Sequence, residues 1–257
     1  MIDTSKKFLV AGAGKSGIGS VNLLLKTGAD VSLYDGNEEL DKEALFEKLY
    51  EKKEISLVLG NITKEDIEKY DLLVLSPGIS VNAPIAQMFY DQEKPVWSEI
   101  ELAYQASKGK IAAITGTNGK TTTTTMIALM LNQNREEGKA YTCGNIGISA
   151  AKVAQEVGEK DVMVTQLSSF QLMGIEKLRP HIAVLTNIYE AHTDYHGSRE
   201  NYVKAKMRIV KNQKEDDYFV VNWDSEEWRN LSKLTKAKIV PFSRQDTTCL
   251  LYTSDAA

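Results

Sequence analysis

Residues 111–126 read IAAITGTNGKTTTTTM, and the fold turns on how this stretch is understood. Ile111, Ala112, Ala113 and Ile114 form a short apolar run suited to a buried strand. Gly116, Asn118 and Gly119 predict a tight turn, and Lys120 with the threonine tract opens a helix. A strand, a glycine turn and a helix in that order build a phosphate-binding loop, because backbone N–H groups and the positive end of the helix converge on one point. Lys120 is then placed to reach the β- and γ-phosphates, and the Thr121 hydroxyl to hold Mg²⁺. Five positions before Gly119 stands Ile114, where the commoner loop pattern has glycine. The alternative is a plain strand-to-helix turn with an incidental lysine, but the agreement of all three parts argues for the loop.

Outward from this stretch, the chain has 257 residues, 42% hydrophobic and 26% charged, enough for one large or two modest domains with real cores. A net charge of -4 and a pI near 5.6 give no electrostatic basis for nucleic-acid binding or for attraction to an anionic membrane. No apolar run approaches the roughly 20 residues that span a bilayer, and residues 1–10 lead straight into a strand-like segment, so a cytoplasmic location is expected. Cys143 and Cys249 lack metal-ligand spacing and fit a reducing compartment, with Cys143 a packed residue rather than a nucleophile.

Upstream, residues 8–11 predict a strand, followed by Gly12-Ala13-Gly14-Lys15-Ser16-Gly17, a helix with Ile18, Val21, Leu24 and Leu25 on one face, and a second strand over 31–34 ending at Asp35. This G-x-G-x-x-G fingerprint favours a diphosphate at the helix N-terminus, and Asp35 favours a ribose hydroxyl or another donor. NAD satisfies both requirements, and so does a UDP-sugar. Residues 38–53 read as a charged helix with Leu40, Leu45, Phe46 and Tyr50 facing inward. Strands are expected over 55–59 and 72–75. The latter ends in Ser76-Pro77-Gly78-Ile79, either a ligand-facing turn or a plain β-turn. A helix over 84–90 and a strand over 95–97 lead to a domain junction at 95–99.

Beyond the loop the alternation continues: a helix over 121–131, a strand and Gly/Asn turn over 141–147, a helix over 150–157 and a strand over 161–167. A strand over 182–186, a helix over 202–210 carrying Lys204, Lys206 and Arg208, and a strand over 218–222 complete it. The fold class is α/β: a doubly wound parallel sheet over 1–98, then an ATPase-type α/β domain over 99–245.

Taken together these motifs resemble the Mur ligase family, ATP-dependent ligases that extend the peptidoglycan stem peptide. The loop Thr115-Gly116-Thr117-Asn118-Gly119-Lys120-Thr121-Thr122 resembles the family's phosphate loop, shortened glycine pattern included. Leu167-Ser168-Ser169-Phe170-Gln171-Leu172, Gly144-Asn145-Ile146-Gly147 and Ser76-Pro77-Gly78-Ile79 resemble the branch that adds D-glutamate to UDP-N-acetylmuramoyl-L-alanine. The resemblance implies a Rossmann-like domain with Gly14, Lys15, Ser16, Asp35, Asn37, Ser76 and Gly78 near the UDP-sugar substrate, joined there by Asn145, Ser168 and Gln171. It implies ATP on residues 116–122, and Mg²⁺ held by Thr121 and the residue at position 166. It also implies a second Mg²⁺ held by His192 and a carbamylated Lys206, with Lys120, His192 and Lys206 as the catalytic set. The partners are then small molecules, UDP-N-acetylmuramoyl-L-alanine, D-glutamate and ATP, with no nucleic acid, no membrane insertion and a monomeric chain. On residue type alone, Lys206 would be a solvated helix lysine and His192 a polar loop residue.

Two departures stand out. Gln166 occupies a position where the family carries a metal-holding glutamate; an amide oxygen brings no charge, so weaker metal binding and lower turnover are expected. The tail DTTCLLYTSDAA over 246–257 continues no βα pattern, and is expected to be a foreign or frame-shifted end. On that expectation the rest of the central domain and a C-terminal amino-acid-binding domain are missing, and the chain is a fragment unable to complete catalysis. Two rival functions stay open: an NAD-dependent oxidoreductase using Gly12 to Asp35, and a non-catalytic nucleotide-binding module.

Overall fold

The computed structural model describes residues 2–245 together with the strand residues Leu251 and Tyr252. In chain order the first elements are β1 (Lys7–Ala11), α1 (Lys15–Thr27), β2 (Asp30–Asp35), α2 (Lys42–Phe46), β3 (Ser56–Leu59), α3 (Lys64–Ile67), β4 (Leu72–Leu75), α4 (Pro84–Asp91), β5 (Val96–Ser98) and α5 (Glu99–Ala106). They continue with β6 (Lys110–Thr115), α6 (Lys120–Asn134), β7 (Ala140–Gly144), α7 (Ala150–Ala154), β8 (Val162–Gln166) and α8 (Ser169–Met173). Last come β9 (Ile182–Leu185), α9 (Thr193–His196), α10 (Arg199–Met207), β10 (Tyr218–Asn222), α11 (Glu226–Leu231), β11 (Lys238–Ser243) and β12 (Leu251–Tyr252). All the pairings are parallel, as βα alternation demands.

The chain divides into two compact units. The first comprises residues 1–108 with 148–157 and 173–176; the second comprises 109–147, 158–172 and 177–257. From sequence a junction was expected over 95–99, but α5 continues the first unit, packing on α1 and α7.

The first unit holds a five-stranded sheet in the order β3-β2-β1-β4-β5. The strand order reverses beside β1, which pairs with β2 on one side and β4 on the other, so the crevice at the carboxyl ends of β1 and β4 is the topological switch point where ligands bind. Every residue of β4, LLVL, is buried, as expected of a central parallel strand covered on both faces. Leu73 and Leu75 pack with Leu9, Ile85 and Phe89 beneath α4. Burying each such side chain contributes about 2 kcal/mol.

The charged helix expected over 38–53 is much shorter. Asp41 caps α2 through Ala44 N, so helix begins late, and Glu51 and Lys52 adopt positive φ values of 55° and 51° that a helix cannot contain. Tyr50 is 37% exposed rather than inward, and Leu49 is buried in its place.

The second unit holds a seven-stranded sheet in the order β12-β11-β10-β9-β6-β8-β7. Here β6 lies between β9 and β8, and the glycine turn that follows it stands at this sheet's own reversal. Ile114, Val164, Val184 and Ala128 of α6 form a core beneath that helix. Cys143 is fully buried, its Sγ 3.3 Å from Thr165 Oγ1, which fits the packed residue expected. Cys249 lies outside the described residues, as does the tail over 246–257 apart from β12. Among the described residues no helix is long and apolar enough to cross a membrane.

Candidate functional site

In the second unit, α6 starts directly from the loop, with Gly119 as its N-cap. The loop is braced by the end of β9. Asn118 N donates to Asn187 Oδ1 (2.9 Å), while Asn187 Nδ2 (3.1 Å) and Thr186 Oγ1 (2.8 Å) donate to Asn118 O. Thr117 N donates to Asn187 O (3.0 Å), and Thr117 Oγ1 lies 3.1 Å from Tyr202 OH and accepts Tyr189 N at 2.9 Å. Gly116 has φ +150°, and a Cβ there would overlap Thr186 Oγ1. The loop approaches the neighbouring strand too closely for any other residue. None of Thr186, Asn187, Tyr189 or Tyr202 was singled out from sequence. The available signal was the polar pair Thr186-Asn187 at the carboxyl end of an apolar strand.

Lys120 Nζ donates to Thr117 O at 2.8 Å, and burial lowers its pKa. Thr121 Oγ1 donates to Gln166 Oε1 at 2.9 Å, while Thr122 is exposed on the first turn of α6. These threonine and glutamine oxygens fit Mg²⁺, a hard cation that takes one or two protein oxygens and completes its shell with phosphate and water. A cavity of about 1080 Å³ opens beside the loop, lined at one end by Asn118, Gly119 and Thr123 and further along by Ile127, Val184 and Val220.

Lys206 is 2% exposed, far from the solvated lysine its helix position suggested. Its Nζ donates to Gly116 O (2.7 Å) and lies 4.7 Å from the Tyr202 ring. Burial, reinforced by the charge of Lys120, pushes its pKa down to about 7. His192 sits at the start of α9 with φ 54° and is exposed, its ring 6.0 Å from Tyr202 and 5.2 Å from Phe170. His192 and Lys206 thus share the Tyr202 ring, but an unmodified ammonium does not fit a second cation. Among the described residues no group of three or more His, Cys, Asp or Glu side chains could hold a metal.

Sequence reasoning also missed His196. It is buried, with Nε2 2.9 Å from Ser169 Oγ and its ring stacked on Phe170, and burial together with His192 and Lys206 lowers its pKa. Ser168 N and Oγ both donate to Gln171 Oε1 (3.0 Å each). Gln171 Nε2, by contrast, is buried with no partner, a donor ready for a ligand acceptor. Asn145 N donates to Gln166 O at 2.9 Å, fixing the turn after β7.

In the first unit, Gly14, Lys15, Ser16, Asp35, Ser76 and Gly78 line one cavity of about 550 Å³ at the switch point. Asn37 does not line it; its N donates to Asp35 Oδ1 (2.9 Å) and its Oδ1 accepts Glu39 N (3.0 Å). Asp35 Oδ2 accepts Ala13 N at 2.7 Å, so its carboxylate braces the glycine turn. The substrate residues expected from sequence therefore fall in both units: Asn145, Ser168 and Gln171 belong to the second.

A strand, a glycine turn and a helix stand at the reversal of each of the two parallel sheets, and this pairing defines the α/β class of the chain. The description "Mur ligase middle domain" matches residues 114–256 and "Mur ligase MurD-like, N-terminal domain" matches residues 6–98, and the chain belongs to the Mur ligase family. The middle-domain match extends through the tail expected to be foreign.

The UDP-N-acetylmuramoylalanine--D-glutamate ligase of Ligilactobacillus salivarius (strain UCC118) is 55% identical over 239 residues, which are 93% of this chain and 52% of that protein. Its counterpart from Lactiplantibacillus plantarum (strain ATCC BAA-793 / NCIMB 8826 / WCFS1) is 50% identical over 95% of this chain and 53% of its own length. The chain spans about half the length of these curated relatives. Among solved structures, the UDP-N-acetylmuramate:L-alanyl-gamma-D-glutamyl-meso-diaminopimelate ligase from Neisseria meningitides aligns with a TM-score of 0.59 at 17% identity, covering 92% of this chain and 78% of its own. The UDP-N-acetylmuramate-alanine ligase MurC from Thermotoga maritima aligns with a TM-score of 0.52 at 23% identity, over 94% and 53%. Both are likenesses of fold.

Proposed function

We propose that this chain serves an ATP-dependent ligase that joins D-glutamate to the L-alanine carboxylate of UDP-N-acetylmuramoyl-L-alanine, a cytoplasmic step of peptidoglycan precursor synthesis. The observation that carries this reading is the 55% identity, over 93% of this chain, with a relative of that name. A carboxylate resists amines because its leaving group would be oxide. Transfer of the γ-phosphoryl group of ATP to a carboxylate oxygen gives an acyl phosphate and ADP; the amine nitrogen then attacks the carbonyl carbon, phosphate departs and the nitrogen loses a proton.

The first transfer asks mainly for positioning and charge neutralisation. Residues 116–122 would cradle the phosphates, with Lys120 Nζ near the β- and γ-oxygens. Thr121 and Gln166 would hold Mg²⁺, which supplies further positive charge to the phosphates. Lys15, Ser16, Asp35, Ser76 and Gly78 would receive the UDP-sugar.

A pKa near 7 leaves much of Lys206 as the neutral amine, the form that adds CO₂ with loss of a proton. The carbamate would give His192 an anionic oxygen partner for a second cation.

Parallel thermal-shift titrations with UDP-N-acetylmuramoyl-L-alanine, Mg·ATP and NAD test the reading. A ligand at a hundred times its Kd adds about 2.7 kcal/mol to the folded state. Stabilisation by the first two and not by NAD is expected; stabilisation by NAD alone overturns the reading.

A further inference from the structure

The helix that follows His192 is a single turn. α9 runs from Thr193 to His196 and is bounded by two residues with positive φ, His192 at 54° and Gly197 at 72°. One turn of helix does not hold itself together in water, because fixing its backbone costs more than its few hydrogen bonds return. What fixes α9 is its last residue. The His196 side chain is 8% exposed, and its Nε2 lies 2.9 Å from the Oγ of Ser169, a buried residue at the start of α8. The His196 ring stacks on Phe170 with centroids 5.5 Å apart and planes 16° from parallel, and the Tyr202 ring lies at 5.5 Å. Its main-chain O accepts Asn201 Nδ2 of α10 at 2.9 Å, and its N donates to His192 O at 3.0 Å.

The imidazole combines two properties at one position. A phenyl ring could stack on Phe170 but would leave the buried Ser169 hydroxyl without this partner, and an amide could bond the hydroxyl but not stack. The consequence falls on His192, one turn away and joined to His196 through the main chain. The His192 ring lies 5.2 Å from Phe170 and 6.0 Å from Tyr202, and the Tyr202 ring in turn lies 4.7 Å from Lys206 Nζ. Ser169 follows Gln166 by three residues, so the same bond ties α9 to the end of β8, where Gln166 meets Thr121.

We propose that His196 is a positioning residue for His192: its hydrogen bond to Ser169 docks α9 on the start of α8 and holds the His192 ring beside Tyr202 and Lys206. The inference rests on the ligase reading only for what His192 then does, which is to hold a cation that accompanies ATP.

The chain has three histidines, His181, His192 and His196, so ring-nitrogen NMR of the whole chain labelled at histidine reads the effect directly. Ser169→Ala and His196→Phe, each checked for folding by circular dichroism, are expected to displace the His192 resonances and leave those of His181 in place. His196→Gln, whose amide reaches the place of Nε2, is expected to return them toward their wild-type positions. Calorimetric titration with Mg·ATP is expected to show about a fivefold loss of affinity in either Ser169→Ala or His196→Phe, the contribution of one hydrogen bond, with no further loss when the two are combined. In His196→Gln the loss is expected to stay below about twofold. A folded Ser169→Ala chain whose His192 resonances stay in place overturns the inference, as does equal displacement of His181 and His192, which would mark a general loss of packing. Displaced His192 resonances with unchanged Mg·ATP affinity support the positioning role and overturn the reading of His192 as a cation ligand that acts with ATP.

Discussion

At the scale of single residues, the loop's shape depends on a side chain from another strand. Asn187 accepts from Asn118 N and donates to Asn118 O, holding both main-chain polar groups of one loop residue from 69 residues away in sequence. Asn187→Ala removes both bonds together, and each hydrogen bond of this kind contributes about 1 kcal/mol. Mg·ATP affinity is expected to fall about tenfold, while affinity for the UDP-sugar is unchanged; calorimetric titration with each ligand reads both. Equal losses for the two ligands would mean that Asn187 supports general stability rather than the loop. Lys120 was legible because a lysine after a glycine turn has a chemical reason to be there. Asn187 was not, because nothing in its local sequence states which loop its amide will meet.

At the scale of elements, α5 shows what burial does to a helix that local pattern did not reveal. Glu99 is 1% exposed, and its Oε1 accepts Ala151 N at 2.6 Å, holding the first turn of α7. Burial raises the carboxyl to about 7 against hydrogen bonds from Ala151, Ala150 and Ser149 that oppose the rise. Between pH 4.5 and 7 the folded chain therefore binds more protons than the unfolded chain at this site, so its contribution to stability falls as pH rises through that window. Glu99→Gln keeps an acceptor for Ala151 N and removes the charge. Its melting temperature should exceed the wild-type value at pH 8 by roughly 5 °C, corresponding to about 2 kcal/mol, and by much less at pH 5. A pH-independent difference would show that the carboxyl titrates normally.

The same unit has a second element-level constraint at Gly17, where α1 meets the loop after β1. A Cβ there would overlap the Gly12 carbonyl oxygen, so Gly17→Ala must part helix from strand. A loss of about 1–3 kcal/mol in urea unfolding is expected, with weaker UDP-sugar binding. Gly17 was legible as the third glycine of the fingerprint, but its packing role was not. The short α2 was not: the charge pattern of 38–53 fits a helix equally well, and the break comes from the Asp41 cap and the two left-handed residues 51 and 52.

At the scale of the whole molecule, the alternation of strands and helices made two parallel sheets legible, since each apolar run was the length of a strand and each glycine turn fell at a strand's end. The path of the chain was not legible in the same way. Residues 148–157 and 173–176 leave the second unit's sequence to join the first, and short local patterns carry no record of such an exchange. Both excursions are held by buried carboxylates of α5. Glu99 accepts Ala151 N, and Glu101, fully buried, accepts Glu176 N at 2.9 Å. Residues 1–108 expressed alone would keep all five strands of the first sheet, yet α7 would no longer cover α1 and α5. Two carboxylates would lose their backbone donors, and buried Gly19, which packs against Ser149 and Lys152, would face water. Such a fragment is expected to bind a hydrophobic dye and to melt without a sharp transition, as a chain does when its backbone fold persists but close packing is lost. The 257-residue chain under the same conditions is expected to melt cooperatively and leave the dye unbound. A fragment of 1–108 that melted as sharply and as high as the whole chain would show that the excursions decorate the first unit without completing its core.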